Sequence, residues 1–368
     1  MLDAASKSQI SVLIVDDSTS ARAMLMRIVE TDPSLKLFGT AADAFIAVSK
    51  MQSELPDVML LDLELPRMSG LEFLRKIMAQ RPIPVVICSS HAEAGSELAL
   101  TALACGAVEV VSKPAPRTDA DFQESAIAIC DAIHAAAESG HKSARRVAPT
   151  RETGTKLLAD ALIPPARPKT IAQTTPIVCI GASTGGTEAI RSVLEELPVT
   201  CPPVVIVQHM PAGFTNAFAR RLNGLCRVNV KEAVDGDLCK PGEVLIAPGN
   251  FHMMLVRQGR GYGVRVMDGP YICRHRPSVD ILFRSAAQSA GQNALGIILT
   301  GMGDDGARCL REMREAGATT LAQNEETCVV FGMPREAIRM GAATRVVSLS
   351  EVPGAIAAFA NTHQLRAR

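Results

Sequence analysis

A chain of 368 residues is long enough for two ordinary domains, and 47% hydrophobic content without tryptophan implies aliphatic cores of the kind that buried parallel strands need. Lys plus Arg and Asp plus Glu balance at 38 each with no long basic run, so charge makes no case for nucleic acid as a partner. The first residues, MLDAASKSQ, lack the apolar core of a signal peptide, and no apolar stretch approaches a membrane span, so a cytoplasmic protein without membrane insertion is expected.

From Ile10 to about Ala137, strand-like runs (ISVLIVDD, LKLFGTA, DVMLLDLEL, PVVICSS, VEVVSKP) alternate with helical ones (ARAMLMRIVE, AFIAVSKMQ, LEFLRKIMAQ, SELALTALACG). DFQESAIAICDAIHAAAE adds a last helix. This rhythm predicts a (βα)5 doubly wound parallel sheet over residues 8–138. Residues 139–175 mix Pro, Gly, Thr, Ala and basic residues without a period and read as an interdomain linker with one short helix near Leu157. A second α/β pattern follows over 176–364. Its strands are PIVCIGAS, PVVIVQHM, EVLIAPG and ALGIILTG, and its helices GGTEAIRSVLEEL, FTNAFARRLNGL, SVDILFRSAAQSAG and DGARCLREMREAG. HMMLVRQ and YGVRVMD make an inserted hairpin in this doubly wound, mostly parallel domain. The ten cysteines are scattered without C-x-x-C or metal spacing, and several lie in strand-like runs (Cys88, Cys179), as buried reduced thiols do.

Ligands of doubly wound sheets bind beyond the carboxyl ends of the strands. Asp16 and Asp17 end the first strand, Asp62 the third, Ser89 the fourth and Lys113 the fifth. One acid at a strand end is an ordinary solvated residue. Three together repel unless a cation neutralises them, and an all-oxygen set suits Mg²⁺. One carboxylate can then accept a phosphoryl group, with a lysine and a hydroxyl to stabilise it. The motifs VDDS, LLDLELPRMSGLEFL, ICSS and SKP resemble the receiver domain of two-component response regulators. The resemblance implies Asp62 as the phosphorylated residue. It implies Mg²⁺ held by Asp16, Asp17, Asp62 and the backbone carbonyl of Glu64, with Ser89 and Lys113 as the phosphate-sensing pair. Many receivers carry an aromatic residue three positions before the lysine, where this chain has Val110.

In the second domain GASTG fits G-x-S-x-G, a pattern shared by nucleophile turns and by glycine loops that cradle a phosphate at a helix start. VVIVQHMP places His209 at the next strand's carboxyl end, and GIILTGMGDDG places Asp304 and Asp305 at another. A base and an orienting carboxylate can therefore converge on Ser183. Taken singly, His209 is also a plausible core histidine and GDDG a plausible helix-opening turn. The order Ser, His, Asp is not that of α/β-hydrolases. IGASTGGTEAI, VVIVQHMP, VLIAPGNFHM, HRPSVDILFRS and ILTGMGDDGA resemble instead the catalytic domain of chemotaxis protein-glutamate methylesterases, and a preceding receiver matches that family's order. The resemblance implies Ser183 as nucleophile, His209 as base and Asp305 as acid, Asp304 being the variable member of the pair. Met302 is expected to offer an oxyanion amide with Thr184 nearby, while His275 lines the site or is a loop residue. The implied substrates are methylated cytoplasmic helices of chemoreceptors, with glutamine deamidation as a companion activity, and the implied phosphodonor is a chemotaxis histidine kinase. No cofactor is expected for the esterase chemistry. A receiver joined to a hydrolase implies a switch in which the unphosphorylated receiver covers the Ser183 site.

Overall fold

The computed structural model describes residues 9–89, 93–140, 156–166, 171 and 174–366. The chain divides into two compact units, Met1–Ala148 and Pro149–Arg368.

The first unit runs β1 (Ile10–Val15), α1 (Thr19–Thr31), β2 (Leu35–Ala41), α2 (Ala44–Lys50) and β3 (Val58–Leu61). It continues with α3 (Gly70–Gln80), β4 (Val85–Ser89), α4 (Glu93–Ala104), β5 (Glu109–Ser112) and α5 (Asp119–Gly140). The five strands pair in parallel in the order β2-β1-β3-β4-β5. VLIV of β1 and VMLL of β3 are wholly buried, because helices cover both sheet faces. Helix starts are set by short polar caps: Ser18, Asp43 and Ser69 accept hydrogen bonds from the amides of Ala21, Ile46 and Glu72.

The second unit contains β6 (Ile177–Ala182), α6 (Gly186–Glu196), β7 (Val204–Gln208), α7 (Phe214–Leu225), β8 (Asn229–Glu232) and β9 (Leu238–Cys239). β10 (Glu243–Ile246), β11 (His252–Gln258), β12 (Gly261–Met267), α8 (Val279–Ser289), β13 (Ala294–Ile298) and α9 (Ala307–Glu315) follow. It ends with β14 (Thr319–Gln323), α10 (Met333–Arg339), β15 (Arg345–Val347) and α11 (Val352–Arg366). Its main sheet has seven strands in the order β15-β14-β13-β6-β7-β10-β8, every pairing parallel.

Three of these seven have no apolar signature. NVKE (β8) and RVV (β15) are short edge strands, half exposed. TTLAQ (β14) is more polar, and its Thr320 ties it to the following segment: Thr320 Oγ1 donates to the Ala342 carbonyl at 2.7 Å, and Thr320 N donates to the Thr344 hydroxyl at 3.1 Å. The expected hairpin forms between β11 and β12, and β9 joins it as a third strand.

Residues 156–166 of the stretch read as a linker are described. Only one 3-10 turn, Ala159–Ala161, forms there, and residues 156–166 lie on the second unit. Arg284, fully buried in α8, donates to Asp160 at 2.5 Å and to the Ile163 carbonyl at 2.9 Å, and clamps Glu312 of α9 at 2.5 Å.

Candidate functional site

In the first unit, β1 and β3 are neighbours and β5 lies beyond β4, so their carboxyl ends share one edge. There the carboxylate oxygens of Asp16, Asp17 and Asp62 all lie within 4.8 Å of one another. Lys113 Nζ sits 2.6 Å from Asp62 Oδ2 and 3.0 Å from Asp16 Oδ2. Burial opposes the lysine's charge, but these two carboxylates outweigh it and hold its pKa above the ordinary value. Burial raises the Asp62 carboxyl despite the lysine, and Asp16 adds to the rise. The Glu64 amide donates to Asp62 Oδ1 at 3.2 Å. Ser89 is buried at the end of β4 and its carbonyl accepts from Lys113 N at 2.9 Å, which ties the two residues together. Val110 is buried in β5.

In the second unit β6 lies between β7 and β13, so the chain leaves it in opposite directions; this is the switch point of the sheet. Ser183 follows β6, His209 follows β7, and Asp305 lies in the loop between β13 and α9. All three are buried. His209 N donates to the Ala182 carbonyl at 3.0 Å and Ser183 N to the Thr300 carbonyl at 3.0 Å, which binds the three strand ends together. A Cβ added to Gly301 would fall 2.6 Å from Ser183 Cβ, so the β13 loop reaches the serine only because residue 301 has no side chain. The next residue is Met302, whose amide donates to no group among the described residues. Thr184 is buried, and its carbonyl accepts from Thr300 Oγ1 at 2.9 Å.

Asp305 is held by four hydrogen bonds. Oδ2 receives His209 Nε2 at 2.8 Å and the Val279 amide at 2.7 Å; Oδ1 receives Ser278 Oγ at 2.9 Å and the Asp280 amide at 3.0 Å. It thus caps the start of α8 as an anion. Burial alone would raise its pKa, but these bonds win and hold it at about 2. Asp280 answers from the other side: its Oδ1 accepts the Gly306 and Cys309 amides at 3.1 Å each, at the start of α9. Burial, with Asp305 close by, pushes Asp280 up to about 6. Because Asp305 also takes two amides, it is charged, and the His209 nitrogen facing it carries the proton. Nδ1 of His209 is buried with no hydrogen-bond partner.

His275 stacks on His209 with ring centroids 3.6 Å apart and planes 12° from parallel. Burial and the neighbouring imidazole hold it well below the ordinary histidine pKa, so it stays neutral. It follows two non-glycine residues in the left-handed region, Cys273 at φ 51° and Arg274 at φ 69°, a local strain held by the mutual Ile272–His275 backbone bonds.

Four more residues shape the site without standing out in the sequence. Gln208 Nε2 donates to the carbonyls of Ser183 at 2.9 Å and His209 at 3.0 Å. His252, kept neutral by burial, links the Pro270 carbonyl at 2.8 Å to the Ser278 amide at 3.2 Å. Ser278 and Asp280 bracket the Asp305 carboxylate. The one available signal was polar residues repeated at the start of SVDILF, which reads equally as an ordinary helix cap. A phosphate cradle needs free amides at the glycine turn, and Gly186 N is committed to the Ser183 carbonyl at 2.7 Å. A Cβ on Gly186 would meet Gln208 Oε1 at 2.1 Å, so Gly186→Ala is expected to displace Gln208 and destabilise the second unit by about 1–3 kcal/mol in urea unfolding.

The ten cysteines are free, and burial pushes the Cys88 thiol up to about 12, which makes it inert.

The two carboxyl-edge clusters define a class: a phosphoacceptor-type α/β unit followed by a hydrolase-type α/β unit. Residues 12–121 match the response regulator receiver domain model, and residues 178–356 match the CheB methylesterase model. The protein-glutamate methylesterase/protein-glutamine glutaminase of group 3 operon from Cereibacter sphaeroides is 58% identical over 96% of each chain. The Anaeromyxobacter dehalogenans protein-glutamate methylesterase/protein-glutamine glutaminase 5 is 57% identical over 94% of this chain and 95% of its own. The Thermotoga maritima CheB methylesterase catalytic domain, a solved structure, is 39% identical over 50% of this chain and 97% of its own, with a TM-score of 0.48. The chain belongs to the CheB methylesterase family, with the receiver domain ahead of the methylesterase domain.

Proposed function

We propose that this chain is a phosphorylation-regulated hydrolase that removes methyl groups from glutamate γ-methyl esters of chemoreceptor cytoplasmic helices, and deamidates receptor glutamines by the same route. The receiver occupies 8–138, the connecting segment 139–175 and the hydrolase 176–364. The observation that carries the reading is the fixed His209–Asp305 pair at the sheet's switch point beside Ser183.

In the reaction, Ser183 Oγ attacks the ester carbonyl carbon while His209 Nδ1 takes its proton. Nδ1 is the nitrogen for this task because Asp305 holds the other as Nε2–H. Asp305 stabilises the resulting imidazolium, and His275 packs flat against the ring to keep its orientation. The Met302 amide, with Thr184 close by, supports the oxyanion, a contribution of about 3–4 kcal/mol per donor. His209 then gives its proton to the departing methoxide, and methanol leaves. Water, deprotonated by the same Nδ1, cleaves the acyl-enzyme to free glutamate. With glutamine the leaving group is ammonia.

In the receiver, the hard oxygen set fits Mg²⁺: Asp16 Oδ2 is buried and lacks a directed hydrogen bond, although Lys113 lies within ion-pair distance. Asp16, Asp17, Asp62 and the Glu64 carbonyl would hold the ion. Bound there, it supplies positive charge against the incoming phosphoryl oxygens. Asp62 accepts the phosphoryl group from a chemotaxis histidine kinase, Lys113 turns from the carboxylate to the phosphate, and Ser89 donates to it. The phosphorylated receiver favours the active form of the enzyme. Methanol release from methylated receptor, with and without acetyl phosphate and Mg²⁺, tests the whole reading. Stimulation by acetyl phosphate should vanish in Asp62→Asn; stimulation that survives the substitution removes Asp62 from its role.

A further inference from the structure

Lys156 is the first described residue after Gly140, and it arrives at the loop that carries Asp305. Its ammonium pairs with the carboxylate of Asp304, directly before Asp305. Burial alone would lower its pKa, yet the Asp304 contact keeps it above the ordinary lysine value, so the ammonium stays charged. Leu157 then accepts the Cys273 amide at 2.8 Å, inside the strained turn that leads to His275. Beyond that point the segment is anchored independently, by Arg284 on Asp160 and Ile163 and by Arg308 Nη2 on Asp160 at 3.1 Å. Gly303 and Gly306 flank the two aspartates at φ 82° and 89°, in the left-handed region that favours glycine. Among the described residues the Asp304 side chain has no other partner.

We propose that Lys156 is a positioning residue for the hydrolase reaction, pinning Asp304 so that Asp305 keeps its bonds to His209 and to the start of α8. This rests on the reading of Ser183, His209 and Asp305 as a catalytic triad. Lys156 touches neither substrate nor reacting atoms; it acts through the neighbour of the triad acid. The part of the connecting segment from Lys156 on then serves the hydrolase reaction. Because the remaining anchors do not involve Lys156, its replacement loosens the loop without releasing the segment.

The test uses the full chain as Lys156→Met, Lys156→Arg, Asp304→Asn and the Lys156→Met/Asp304→Asn double variant. Methanol release from a methylated receptor fragment gives kcat and KM, and hydrogen exchange is followed at the amides of Val279 and Asp280, which donate to Asp305. Lys156→Met should lower kcat roughly three- to tenfold with KM unchanged, and Lys156→Arg should restore most of it. The double variant should lose no more than either single one, and the two amides should exchange faster in Lys156→Met. Wild-type kcat in Lys156→Met, unchanged exchange, or losses that multiply in the double variant would overturn the proposal. If the wild-type chain released no methanol, the functional reading would fall, while the exchange measurement would still decide the role of Lys156.

Discussion

Replacing Ser183 with Ala is expected to cut methanol release by about 10⁴- to 10⁶-fold, the scale at which a triad loses its nucleophile. The substitution removes one hydroxyl and no backbone bond. Ser183 N still donates to Thr300, and its carbonyl still accepts Gln208 Nε2 and the Gly186 amide. Stability should therefore stay within about 1 kcal/mol of the parent, so the lost activity reports chemistry and not folding. A fluorophosphonate probe should label the parent and leave the variant unmarked. Methanol release at even a few hundredths of the parent rate would remove Ser183 from the reaction; so would labelling of the variant.

The second large effect belongs to Asp305. Asp305→Asn should lower kcat by about 10⁴-fold, with a smaller change in KM. An amide in this place cannot accept all four hydrogen bonds that the carboxylate receives from His209, Ser278, Val279 and Asp280. Its NH₂ turned to His209 favours the tautomer with the proton on Nδ1, and that ring cannot take the Ser183 proton. The variant should also report on stability. Asp305 has a folded pKa of about 2 against about 3.9 unfolded, so its stabilisation is complete above pH 4 and fades as pH falls toward 2, at a scale of about 2–3 kcal/mol. Asp280, pushed up to about 6, has the opposite sign: its ionisation in the folded state costs stability as pH rises from about 4 through 6. The stability gap between parent and Asp305→Asn should therefore narrow below pH 4 in denaturation experiments. A gap that widened there would contradict the assignment of the low pKa to Asp305.

Much of this protein is legible in one dimension because its chemistry sits at strand ends. A buried parallel strand announces itself as an apolar run, and the residue that ends it is where ligands meet the sheet. VDD, LLD, CS and SK in the first unit, and GAS and QH in the second, carry Asp16, Asp17, Asp62, Ser89, Lys113, Ser183 and His209 in that way. Strands without an apolar run escaped: β8 and β15 are short edges, and β14 exchanges apolar residues for threonines that bond to the backbone.

By itself, then, the sequence determined two α/β units, their order, and the residues that end their strands, since these depend on local periodicity and on spacing along the chain. Only the tertiary structure decided the strand order that puts β6 between β7 and β13, and so brings positions 183, 209 and 305 to one edge. It also decided what each of the two adjacent aspartates meets, Asp305 binding His209 and Asp304 pairing with Lys156. The stack of His275 on His209, the reciprocal capping of α8 and α9 by Asp305 and Asp280, and the docking of residues 156–166 are of the same kind. Each joins residues from separate elements through hydrogen-bond direction and burial, and neither quantity has a signature in the spacing of residues along the chain.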